Sequence, residues 1–402
     1  MGIFQDITPD GRSVITYSRL AAQAADEEAT PTYLYRPDGV ELARLKGAFQ
    51  GFTSDGQLII TYAQEQSYLY TLTGTKRATL DGIVRWSTLD GQTLVTDTGN
   101  LEQFKLYRAD GTLISTFEGI FLGFSSDSQK LMTTDGQRSY LYTLDGTLNS
   151  VFEGIFSAFT PDSQHLITAV HKETLQSQLF ALDGTLQATF KGEFASFSLD
   201  GESLVTQSME TAQSWLYDFG GSQQAIFAGT FMGFAANGEA LFTYSNEGSH
   251  LYHLDGTQQA IFEGKILGFT TDSKTLITAD LSGERQSWLY DFDGTKLATL
   301  EGLFIGFLSD EQRIVTSNAG MEGLFLLTHT PYYIYDLDGQ LQGRMEGQLL
   351  GLTTSGHQGL VLYAEGESRL YDGLDGSEQA VFEGRVVGFT QDEQGVFING
   401  ER

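Results

Sequence analysis

Seven carboxylates recur at one place in a repeating pattern: Asp81, Glu118, Glu153, Glu263, Glu301, Glu346 and Glu383. Carboxylates that converge can do the acid–base work of glycoside hydrolysis, or attract a cation or a basic partner. A periodic acid is also what a solvated turn residue looks like, and that reading carries the greater weight here. Asp291–Gly294 and Asp336–Gly339 read Asp-x-Asp-Gly, the opening of a calcium loop. Such a loop needs oxygen ligands at further positions and a closing acid. Both segments run directly into β-prone sequence instead, so hairpin turns are expected. The six histidines (His165, His171, His250, His253, His329, His357) are scattered. His250 and His253 are close but have no evident third ligand, so no metal site and no cofactor is expected. No Gly-x-Ser-x-Gly elbow, His-Glu-x-x-His, P-loop or dinucleotide fingerprint occurs, and Cys is absent. That removes thiolate nucleophiles, thiolate metal sites and disulfides. No catalytic residue is assigned, and the chain is expected not to be an enzyme.

Two departures from the repeat could bind rather than catalyse. Arg85-Trp86 places a Trp where sibling repeats carry a small residue. In a wide ring that side chain would plug the channel or line a ligand pocket. The largest insert is Gly320–Tyr333, whose Phe325, Tyr332 and Tyr333 offer aromatic anchors of the kind that dominate interfaces. The alternative is a small extra hairpin packed on its neighbour.

The elements that must position these residues are set by a repeat. A Leu-Tyr-like pair recurs from Leu34-Tyr35 through Leu69-Tyr70, Leu106-Tyr107 and Leu141-Tyr142 to Leu370-Tyr371, at spacings of 35 to 45 residues. In the fourth copy, Ile120–Ser125 is a short apolar run, followed by expected strands at Leu131–Thr134, Ser139–Thr143 and Ser150–Glu153. Asp145-Gly146 closes one hairpin, because Gly takes φ > 0 without steric cost. Four strands with three tight connections make an antiparallel meander. Such a sheet cannot bury both faces alone, and radial stacking of copies would cover them. The fold class expected is all-β, a β-propeller of about ten four-stranded antiparallel blades. The first strand should be innermost, with a Phe-x-Gly-Phe pattern (Phe49, Gly51, Phe52; Phe121, Gly123, Phe124) whose Gly lets strands converge. A Thr column in the second strand (Thr16, Thr61, Thr96, Thr133, Thr168, Thr206, Thr243, Thr278, Thr316) reads as architectural.

Residues 1–402 read as one array of ten complete repeats plus two further strands within 385–399. One large ring is favoured over two smaller ones, because no linker or composition break divides the array. The final copy keeps Val386, Gly388 and Phe389, whereas the first carries Asp6 and Ile7 at the Gly and Phe positions. This predicts that 385–399 pairs with 33–46 to complete a closing blade, with residues 1–17 displaced or adding strands at an edge; the alternative is that the first copy is intact and the C-terminal pair docks outside it.

The units resemble WD40 and WD40-like propeller repeats. Thr8-Pro9-Asp10-Gly11 and Thr160-Pro161-Asp162 match that family's turn, and Leu289-Tyr290-Asp291 stands where it carries Trp-Asp. The resemblance covers the whole chain and implies interaction as the default function. The Gly-His dipeptide is missing, so the family's His-centred network is not carried to any position.

A balance of 23 basic to 52 acidic residues gives a formal charge of −29. Such a surface repels phosphate backbones and anionic membranes, so neither nucleic acid nor membrane is an expected partner. No signal peptide or 18-residue apolar span is visible, and a cytoplasmic location is expected. The leading expectation is a non-enzymatic scaffold or sensor domain for a partner protein, or for a partner domain of a longer chain from which this array comes. Candidate binding residues are Phe325, Tyr332, Tyr333, Arg85, Trp86, Glu118, Glu153, Glu263, Glu301 and Glu346. A glycan or small-molecule ligand stays open, with a lectin-like propeller as the alternative and a propeller hydrolase behind it.

Overall fold

The computed structural model describes residues 2–18, 31–99, 103–125, 127–171, 175–280, 285–308, 312–318, 330–352, 359–364, 366–372, 375–389 and 396–399. Every regular element among them is a strand. The chain divides into two compact halves, Met1–Thr189 and Phe190–Arg402.

Eight antiparallel sheets of four strands follow one another, spanning 2–45, 48–81, 83–118, 120–153, 155–191, 193–228, 230–262 and 265–301. A seven-stranded sheet over 303–383 accounts for two more repeats. They are joined because one strand, Leu341–Leu352, runs on without a break. Its first part pairs with Thr330–Asp336 and its second with Gly359–Ala364. In the fourth sheet the strands are Ile120–Phe124, Lys130–Thr134, Arg138–Thr143 and Leu148–Glu153, where the sequence places them.

The core lies between successive sheets. Ile15, Leu34 and Leu45 of the first sheet pack with Ile59, Tyr68 and Tyr70 of the second. Val205, Leu216 and Phe227 of the sixth meet Phe234, Leu241 and Tyr252 of the seventh in the same way. The period of two sends the Leu of each Leu-Tyr pair to the sheet interior; Leu69, Leu106, Leu141 and Leu289 are fully buried. Phe152, Phe190, Phe227 and Phe262 of the fourth strands are among the largest fully buried side chains. Each such residue contributes about 1.5–3 kcal/mol by area transfer.

Two expectations need correction. The first copy is not displaced: Gly2–Ile7 pairs with Val14–Ser18, which pairs with Thr32–Tyr35, which pairs with Glu41–Leu45. Its register even shifts between Phe4 and Asp6, as sibling sheets shift at their Phe-x-Gly step. Both neighbours of Thr32–Tyr35 are thus taken, and Arg385–Phe389 pairs with Val396–Asn399 instead. The second correction concerns the inner Gly. A Cβ on Gly51, Gly123 or Gly233 would meet nothing within 4 Å, yet their φ values are +146°, +156° and +155°. At these positions Gly serves the backbone of the β-bulge rather than a close approach of strands.

Candidate interaction surface at the crossovers

Each passage from one sheet to the next turns on a glycine. Gly119 has φ +90°, and a Cβ there would stand 2.7 Å from the carbonyl oxygen of Thr134. Two hydroxyls clamp such a crossover from its two sides. On the leaving sheet, Ser67, Ser139, Ser214, Ser249 and Ser287 donate Oγ to the carbonyls of Gly82, Gly154, Gly229, Gly264 and Gly302, each at 2.9 Å. Four of these hydroxyls also accept the backbone N–H of the next inner strand, at Val84, Phe156, Ile266 and Phe304. On the entering sheet the Thr column donates to the residue before the glycine: Thr61 to Lys46, Thr168 to Glu153, Thr206 to Lys191, Thr243 to Ala228 and Thr316 to Glu301. Buried carbonyls that would otherwise lack a partner are thereby satisfied. The Thr column is architectural, as its spacing suggests, except that the buried hydroxyls of Thr16, Thr96, Thr133 and Thr278 have no partner.

The acids ending the fourth strands sit on these crossovers, and the structure commits several of them. Asp81 pairs with Lys105 of the following sheet, and that hydrogen bond raises the lysine's pKa. Glu263 meets Lys296 at 2.7 Å, also one sheet on. Glu301 accepts Tyr333 Oη at 2.7 Å and Asn318 Nδ2 at 2.9 Å; these donors, the Tyr first, hold its carboxyl below the usual range. Glu346 pairs with Arg344 of its own strand at 3.0 Å. Where the crossover residue is instead a lysine, its partner is an aromatic face: Lys46 lies 5.0 Å from the Tyr68 ring and Lys191 4.5 Å from Trp215. Three of the seven acids, Asp81, Glu263 and Glu301, are thus staples to the following sheet rather than simply solvated turn residues. Glu118 and Glu153 occupy the same strand-end position, both exposed.

Tyr332 and Tyr333 are not surface anchors. Their strand carries them inward, to 0% and 5% exposure. Tyr332 occupies the clamp position, and its Oη accepts the N–H of Leu349 at 3.3 Å, seventeen residues on, as Ser287 does for Phe304. Phe325 and residues 320–329 lie outside the described residues. Trp86 is half exposed, at 47%, and its ring lies 4.9 Å from Phe121 of the next sheet. Arg85 Nε stands 3.6 Å from Asp97 Oδ2. His250 and His253 are not brought together: three positions apart on one strand, they take opposite faces, buried and exposed. Asp291 and Asp336 accept backbone N–H groups of their own turns, Asp291 from Asp293 and Thr295, Asp336 from Asp338 and Gln340. These are hairpin turns. No group of three metal-ligating side chains occurs among the described residues.

One open groove lies on this face. It has a volume of about 640 Å³ between the fourth and fifth sheets, lined by Arg138, Val151, Glu153, Ile155 and Val170 among others. Val151 and Ile155 are 41% and 38% exposed. The missed signal here was the Ser column of the third strand. Its members at Ser67, Ser139, Ser214, Ser249 and Ser287 keep the register of the Leu-Tyr pair two residues on.

No family model matches the chain, and no curated protein matches it. Solved structures do. The crystal structure of a eukaryotic initiation factor is 14% identical, with a TM-score of 0.50 over 79% of this chain and 94% of that one. The C-terminal WD40 domain of Sif2 is 15% identical, covering 72% of this chain and 96% of its own, at a TM-score of 0.37. BamB from Moraxella catarrhalis is 12% identical, covering 87% and 92%, at 0.35. At such identities the likeness bears on fold alone, and it agrees with the repeated four-stranded meanders. The chain is built of WD40-like β-propeller repeats.

Proposed function

We propose that the chain is a non-enzymatic interaction scaffold, a propeller of about ten blades holding a partner protein or partner domain on its crossover face. The groove beside Glu153 carries this reading. Its half-exposed Val151 and Ile155 form an apolar centre, with Arg138 and Glu153 supplying a charged rim. Apolar centres with polar rims are how specific protein contacts are built. Because Ser139 and Thr168 clamp the crossover beneath it, little ordering is needed on binding. A formal charge of −29 steers a basic partner toward such a surface. The carbohydrate-binding alternative requires repeated exposed aromatics, and Trp215 is 2% exposed. A hydrolase requires free convergent acids, and Asp81, Glu263 and Glu301 are engaged.

The test is a photo-crosslinking residue placed at 151, with position 186 as the control, since Leu186 is also about half exposed. The expected result is one discrete adduct from 151 alone, lost when Glu153→Arg is added. Equal capture at both positions would count against the groove.

A further inference from the structure

We infer that a cleft between the second and third sheets binds an oxyanion, a phosphate or carboxylate group, through Arg77 and Arg108. The cleft has a volume of about 480 Å³, and Gln57, Thr71, Gln92 and Thr93 also line it. Arg77 comes from the last strand of the second sheet, Lys76–Asp81, and Arg108 from the third strand of the third, Gln103–Arg108. Two guanidinium groups in one cleft are out of character for a chain with 23 basic and 52 acidic residues.

Sibling repeats show both how near these positions lie and what they normally hold. The residue matching Arg77 in the seventh sheet is Gln259, whose Nε2 donates to the carbonyl of Phe292, one residue past the position matching Arg108. The two positions therefore face each other across adjacent sheets. Elsewhere they hold Ile114 with Thr143, Gln259 with Asp291 and Leu297 with Asp336. None of these is a like-charged pair. Only here are both cations, and like charges set against each other cost stability unless something of opposite sign lies between them.

No carboxylate among the described residues forms an ion pair with either guanidinium, although Asp55 and Asp110 line the same cleft and offset part of its positive charge. Arg36, Arg85, Arg344 and Arg369, by contrast, are ion-paired. Both of the cleft's carboxylates also accept hydrogen bonds within their own turns, through Oδ1. Asp55 Oδ1 accepts Thr53 Oγ1 and the N–H of Gln57. Asp110 Oδ1 accepts the N–H of Thr112 at 2.9 Å. Arg108 acts on Asp110 only through its field, which helps keep that carboxyl ionised. Guanidinium groups form paired, charge-assisted hydrogen bonds to oxyanions, which a single ammonium cannot. Thr71, Gln57 and Gln92 line the cleft as neutral polar residues, with their side chains hydrogen-bonded within their own turns.

The experiment is isothermal titration of the full chain with pyrophosphate in one arm and an Asp/Glu-rich peptide in the other, at fixed ionic strength. The variants are Arg77→Gln and Arg108→Thr, each the residue that sibling repeats carry at that place (Gln259, Thr143). Both keep the repeat's own chemistry, and unfolding midpoints measured without ligand check that they fold. Binding in either arm that weakens about 10- to 100-fold in each single variant, the loss of charged hydrogen bonds, and vanishes in the double supports the site. The tighter arm names the source of the oxyanion. Absence of binding in both arms, or equal binding by the folded double variant, overturns it.

Discussion

The Ser287 hydroxyl donates to the Gly302 carbonyl at 2.9 Å and accepts the Phe304 N–H at 2.9 Å, so one side chain fixes both sides of a crossover. Ser287 is fully buried, so Ser287→Ala strands a carbonyl and an amide away from water. The expected loss is about 1–3 kcal/mol. It is checked by the shift in urea midpoint, together with faster hydrogen exchange at Phe304. An unchanged exchange rate at that amide would refute the clamp.

The crossover glycine and the inner-strand glycine of the same sheet should differ in their response to a methyl group. Gly302 has φ +87°, and a Cβ would stand 2.8 Å from the backbone carbon of Ser317. Gly302→Ala should cost about 1–3 kcal/mol from backbone strain alone. Gly306 lies only four residues on, and a Cβ there meets nothing within 4 Å. Gly306→Ala should fall within about 0.5 kcal/mol of the parent in thermal unfolding.

How far the sequence reveals this structure depends on where each residue's partner lies. The strands, the turns and the buried Leu column follow from contacts inside one repeat, and they stand where the pattern puts them. The turn at Thr160-Pro161-Asp162 is local in this sense: Thr160 Oγ1 donates to Asp162 Oδ1, which also accepts the N–H of Gln164. The acid column was visible, but its meaning was not, because Asp81 answers to Lys105 and Glu301 to Tyr333 in the next repeat. Tyr332 looked like an exposed anchor beside an insert, since nothing local shows that it replaces a clamping serine. Asp6 and Ile7 suggest a displaced first copy, yet backbone pairing accommodates Asp6 beside the bulge and Ile7 opposite Val14.

Acid should weaken the seventh sheet through His250. This ring is 3% exposed, with Nε2 against Ser245 Oγ at 2.9 Å and Nδ1 without a partner. Burial lowers its pKa from the ordinary 6.5, and Glu247 only partly opposes this. The unfolded chain therefore takes up the proton first. The stabilising contribution is complete above about pH 6.5 and declines as pH falls from there toward the depressed folded value. His250→Tyr, the residue that Tyr68 and Tyr140 supply in sibling repeats, should flatten stability between pH 7 and 5. Chemical denaturation across that range gives the slope. An equal slope in the variant would remove His250 as its source.

The strand Arg385–Phe389 should stabilise the repeat before it, whatever else it does. Val386 is 5% exposed, and its N–H donates to Ser368 Oγ at 2.8 Å. The same hydroxyl donates to the Gly384 carbonyl at 2.8 Å, completing the clamp found at other crossovers. Deleting residues 385–402 removes the apolar cover of Val386 and leaves Ser368, fully buried, with half its hydrogen bonding. Loss of the buried valine and of one hydrogen bond together amounts to about 2–4 kcal/mol. The truncated chain should therefore melt below the parent, with exchange quickening first in Glu367–Asp372. If those amides keep their protection and the melting temperature stays put, Ser368 is not held by the strand that follows it.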